Sequence, residues 1–94
     1  MNSAPAHRIT LLTQGDCALC DHAKQVLGKV AADHALTVTE IDLGSEAGQR
    51  LALDAGVLFA PGVLLDGEPF SYGRLSERRL RRALTTTPQS SAST

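Results

Sequence analysis

Cys17 and Cys20 are the whole thiol content of these 94 residues, and they stand three positions apart. They fall where a short apolar and β-branched run, 8–13, gives way to apolar residues at helical spacing. In the first turn of a helix, unpaired backbone N–H groups and the positive dipole end stabilise a thiolate at Cys17. That lowers its pKa and makes it a nucleophile near neutral pH. Cys20, one turn on, is close enough to close a disulfide or to resolve a mixed one.

Two other readings stand beside this redox dithiol. A structural zinc wants four ligands, and the chain has no second cysteine pair. His22 follows Cys20 by two residues on another face of the helix, so three local ligands do not converge easily. The third reading is two small buried hydrophobes. The redox reading leads.

The elements that must hold the pair read off in order. Residues 1–7 are polar and loose, 8–84 form one domain, and the Ser/Thr-rich 85–94 make a disordered tail. Ile9, Leu11 and Leu12 form the nearly continuous apolar run of a central strand covered on both faces. Gln14-Gly15-Asp16 turns into the helix, with Asp16 as its cap. Leu19, Ala23, Val26, Leu27 and Val30 make the helix's buried stripe, and Gly28 is tolerable there if packing needs the closeness. The alternation over 36–41 gives a second strand and so a right-handed βαβ unit. Ser45 caps a second helix over 46–55 that buries Leu51, Ala52 and Ala55 and ends at Gly56. Val63-Leu64-Leu65, the Asp66-Gly67 turn and Glu68–Tyr72 make a hairpin whose Pro69 marks an edge strand. Ser76 caps a last helix, stapled by Leu75 and Leu80, with Leu80, Ala83 and Leu84 inward. Its Arg78, Arg79, Arg81 and Arg82 read as an exposed face.

Composition narrows the function. A net charge of −1 gives no reason to expect nucleic acid or membrane as partner, and no apolar run approaches a bilayer span. The charge is uneven: residues 1–73 carry a net −5 and residues 74–94 a net +4. The N-terminal residues have no apolar core and read as no signal peptide. A lone CxxC without export signals points to reducing cytoplasm, where such a pair is catalytic or metal-binding.

The order β-α-β-α-β-β-α, with Cys17-Ala18-Leu19-Cys20 at the first strand-to-helix turn, resembles the thioredoxin-fold superfamily and most closely its glutaredoxin-like proteins. Ala23-Lys24, Ala60-Pro61 opening the third strand, and the Asp66-Gly67 hairpin carry the rest of the resemblance. It implies an α/β fold with a four-stranded mixed sheet flanked by helices. It also implies a cis Ala60–Pro61 bond beside the dithiol, which turns the Ala60 backbone toward the cysteines so that an extended thiol peptide can add like a strand. Cys17 would be the nucleophile and Cys20 the resolving thiol of disulfide exchange on a protein or small disulfide, reset by an external thiol or reductase. No metal or organic cofactor is expected, and the protein is expected to be monomeric. Gln14, Ala60, Pro61, Gly73 and Arg74 form the expected substrate-binding set.

The departures lie at the family's glutathione site. Gln14 stands where Lys or Arg is usual, and Phe59-Ala60 where Thr-Val is common. Ala18-Leu19 replaces Pro-Tyr, and Tyr72-Gly73-Arg74-Leu75-Ser76 matches the Gly-Gly cap only in part. Asp16 opposes a Cys17 thiolate by like charge. His22 reads as solvated, and the Lys24 stem packs at the helix flank. The reading from a different class is a binding module whose CxxC holds a metal or only stabilises structure.

Overall fold

The computed structural model describes residues 6–86. The loose N-terminus and the tail expected over 85–94 therefore lie almost wholly outside the described residues. The chain runs β1 (His7–Thr13), α1 (Ala18–Ala31), β2 (Leu36–Asp42), α2 (Glu46–Ala55), β3 (Gly62–Leu65), β4 (Glu68–Tyr72) and α3 (Glu77–Thr86). The sheet order is β2-β1-β3-β4: β2 is parallel to β1, while β3 is antiparallel to both β1 and β4.

Both faces of β1 are covered, which explains its unbroken apolar run. Ile9 and Leu11 point with Val63 into a core closed by Ala23, Val26, Leu27 and Val30 of α1 and by Leu80 and Leu84 of α3. Leu12 and Leu64 point the other way, where Ala52 of α2 meets them with Leu51, Ala55 and Val57 packed around. Helices α1 and α3 thus lie on one face and α2 on the other.

Three sequence expectations change here. Asp16 does not cap α1; it sits at φ 50°, and Cys17 is the N-cap, accepting the Cys20 N–H on its sulfur. Leu19 is only half-buried, because the helix starts at Ala18 and turns Cys20 into the inward stripe. Gly28 faces solvent, where an added Cβ meets nothing, so no close approach requires it. The Arg face of α3 is also less free than it reads. Arg81 is clasped by Glu77 at 2.9 Å and by Asp33, beyond the end of α1, at 2.8 Å. Arg79 lies over the Phe70 ring.

The hairpin between β3 and β4 is locked at Asp66-Gly67, whose φ values of 52° and 84° suit a two-residue turn with both centres left-handed. Pro69 sits in an edge strand as its missing N–H requires, beside a register shift between Val63 and Leu64. Asp66 also ties the turn to β1. Its carboxylate accepts the Arg8 N–H and meets His7 Nδ1, each at 2.7 Å, and the first of these chiefly holds its pKa below the usual aspartate value. A lowered folded-state pKa contributes stability above the unfolded value of about 3.9, and that contribution is lost as pH falls through the folded value. Denaturant midpoints of wild type and Asp66→Asn should therefore converge as pH falls from about 5 toward 2. A gap that stays constant over that range would contradict the assignment.

Candidate functional site

The first strand delivers its chain end to the start of α1, and the cap there is a sulfur. Cys17 is extended at φ −124°, ψ 101°, and its Sγ accepts the Cys20 N–H at 3.1 Å. Its carbonyl accepts the N–H groups of Cys20 and Asp21, each at 3.1 Å, which anchors the first turn. The two cysteines are joined as a disulfide with their Cα atoms 5.1 Å apart. Cys17 is half-buried, whereas Cys20 is 2% exposed. Only one sulfur of the pair is thus open to an incoming partner. The N–H that meets Cys17 Sγ in the disulfide is also placed to stabilise negative charge on it after reduction.

The strand register brings most of the expected site to one end of the sheet. Leu12, next to the end of β1, pairs with Gly62 at the start of β3, and Gly62 pairs with Tyr72 at the end of β4. Gln14, Ala60-Pro61 and Gly73 therefore all leave the sheet at the end from which Cys17 emerges. The Ala60–Pro61 bond is cis, and Pro61 accepts the Gly73 N–H on its carbonyl at 2.8 Å. Gly73 is buried at φ 81°, and a Cβ there would press on Phe59 Cε1 at 3.2 Å. Among the described residues, the Ala60 N–H and carbonyl have no hydrogen-bond partner.

A hollow of about 500 Å³ opens beside the disulfide, bounded by both cysteines, Gln14, the 15–16 turn, Lys24 and the end of β2. Sequence reasoning missed its polar wall. Lys24 Nζ meets Glu40 Oε2 at 3.1 Å, and the Thr13 hydroxyl donates to the same oxygen at 2.9 Å. The Thr13 bond, then the Lys24 bond, holds the Glu40 carboxyl below the usual glutamate range. Only the parallel β1–β2 register, in which Leu11 faces Glu40 and Thr13 faces Asp42, could have revealed this.

Arg74 is placed elsewhere. It lines a second hollow with His22, Gln25, Lys29 and Ser76, between α1 and the start of α3, that neither cysteine borders. His22, read as solvated, is half-buried, and its Nδ1 is covered without a hydrogen-bond partner. Phe59 and Tyr72 were also missed as site features. They pack edge to face with ring centres 5.1 Å apart, yet are 52% and 41% exposed at the sheet end that carries the cysteines. Among the described residues, no three His, Cys, Asp or Glu side chains gather as a metal-ligand group.

Residues 8–85 match the model of the Glutaredoxin-like domain (DUF836). The chain belongs to this glutaredoxin-like family. A mutant thioredoxin from Halobacterium salinarum NRC-1 shares the fold at TM-score 0.63 and 24% identity, over 83% of this chain and 71% of that one. An uncharacterized thioredoxin-like protein from Clostridium perfringens gives 0.67 and 17%, over 85% and 69%. A malarial protein gives 0.64 and 14%, over 86% and 96%. No match is found among curated proteins. These structural likenesses establish the glutaredoxin-like chain as a thioredoxin-type α/β fold. None of its described helices is long and apolar enough to cross a membrane.

Proposed function

We propose that this glutaredoxin-like protein is a thiol–disulfide oxidoreductase of the cytoplasm, acting as a monomer. The observation that carries the reading is the inequality of the two sulfurs. Cys17 caps the helix and is accessible, while Cys20 is buried behind it within bonding reach. Reduced Cys17 attacks one sulfur of a substrate disulfide. That S–S bond breaks, the departing thiolate takes a proton from water, and a mixed disulfide remains on Cys17. Cys20, losing its proton, attacks Cys17 Sγ and expels the second substrate thiol. Two electrons pass to the substrate, and the protein is left with the Cys17–Cys20 disulfide. An external thiol or reductase of dithiol chemistry resets it.

The unpartnered Ala60 backbone supports substrate addition in strand form, and Phe59 with Tyr72 offers an apolar wall beside it. Gln14 and Gly73 border the same end of the sheet. Catalytic amounts of the protein should accelerate dithiothreitol reduction of hydroxyethyl disulfide. A rate equal to that of dithiothreitol alone would refute the proposal and favour a binding module.

A further inference from the structure

The hollow beside the disulfide has a sign. Asp16, Asp21, Glu40 and Asp42 are among the residues that line it, and Lys24, the one cationic residue among its described lining, is engaged 3.1 Å from Glu40. Gln14, at its rim, adds no charge. Arg74 and Lys29 line the separate hollow that neither cysteine borders. Among the described residues, the hollow beside Cys17 therefore carries a formal excess of negative charge, four acidic residues against one lysine.

A charged wall of this kind acts on the approaching disulfide before any bond forms. It raises the local concentration of cations and lowers that of anions, and it does the same to the mixed disulfide that follows. Glutathione is net anionic, so the wall opposes it at both stages.

Resting on the disulfide exchange proposed above, we infer that the carboxylates around Cys17 select cationic substrates: disulfides flanked by lysine or arginine in a polypeptide, in preference to glutathione disulfide. The apolar pair Phe59–Tyr72 and the unpartnered Ala60 backbone suit an extended peptide, and the charge of the wall then decides which peptide disulfides approach.

The test uses three small disulfides of similar length and different charge: cystamine, hydroxyethyl disulfide and dithiodipropionate. Fully reduced protein is mixed with each in single turnover, and closure of Cys17–Cys20 is read by mass. Each rate is divided by that of dithiothreitol with the same disulfide, which cancels differences in leaving-group basicity. The expected order is cationic, neutral, anionic, with about tenfold between the extremes at physiological salt and a wider spread at low salt. The Asp16→Asn/Asp21→Asn variant should compress that spread severalfold. If hydroxyethyl disulfide itself fails to react, disulfide exchange is wrong and this inference falls with it. If it reacts and the series is flat or reversed, exchange stands and the charge selection is overturned. A spread that the double variant leaves intact also overturns it, because the selection then has another source.

Discussion

On the proposed exchange, Cys17→Ser is expected to lose disulfide reduction by at least about a thousandfold, and Cys20→Ser to attack once and stop as a mixed disulfide. The two outcomes differ because the two sulfurs do. A serine hydroxyl at the helix cap is not ionised near neutral pH, so the N–H that would stabilise a thiolate has no anion to act on. Cys20→Ser leaves the accessible sulfur and its cap in place but removes the group that expels the product. Mass spectrometry after mixing with excess hydroxyethyl disulfide should show one adduct on Cys20→Ser and none on Cys17→Ser. Adducts on both variants would mean that Cys20 is reachable from solvent, against its 2% exposure.

Gly48→Ala should be the most damaging small substitution in the chain, lowering stability by about 2–3 kcal/mol. Gly48 is buried in the first turn of α2, where its N–H is bonded to the capping Ser45 hydroxyl at 3.0 Å. A Cβ there would stand 2.9 Å from the Asp42 carbonyl carbon and 3.0 Å from Leu43 Cα, and closer still to the Asp42 carbonyl oxygen. All three are backbone atoms at the end of β2, so no side chain can swing aside. The helix must move away from the sheet, and Ala52 leaves its contact with Leu12 and Leu64. For a domain of this size the expected fall in Tm is on the order of 10–20 °C. Gly28→Ala is the control: it adds the same methyl to open space in a helix interior and should stabilise by about 1 kcal/mol. A Gly48→Ala protein as stable as wild type would show that α2 packs less tightly on this strand than its contacts require.

The contrast between these glycines marks where sequence runs out. Element order, the Asp66-Gly67 hairpin, the Ser45 and Ser76 caps and the covered central strand are local or periodic signals, and each is found where its residues place it. Which glycine touches backbone depends on how a helix lies on its strand, and no spacing encodes that. The Asp16 cap failed for a related reason. Aspartate is the better capping residue by type, but the turn carries it to φ 50° and leaves the sulfur of Cys17 facing the N–H. The cysteine pair was legible from its spacing at a strand-to-helix turn, and the role of Ala60-Pro61 only through the family resemblance that the pair and the element order carry. The Thr13–Glu40–Lys24 wall was not, because it joins residues from three elements through ordinary surface chemistry.

The central claim is that the start of α1 makes Cys17 an activated nucleophile with Cys20 as its protected partner. Alkylation of the fully reduced protein by limiting iodoacetamide across pH 4–10, with mass spectrometry assigning the label, tests it most directly. The account predicts labelling at Cys17 with a midpoint well below the unperturbed thiol value of about 8.5, and little label on Cys20. Equal labelling of both cysteines, with a midpoint at or above that value, would contradict it.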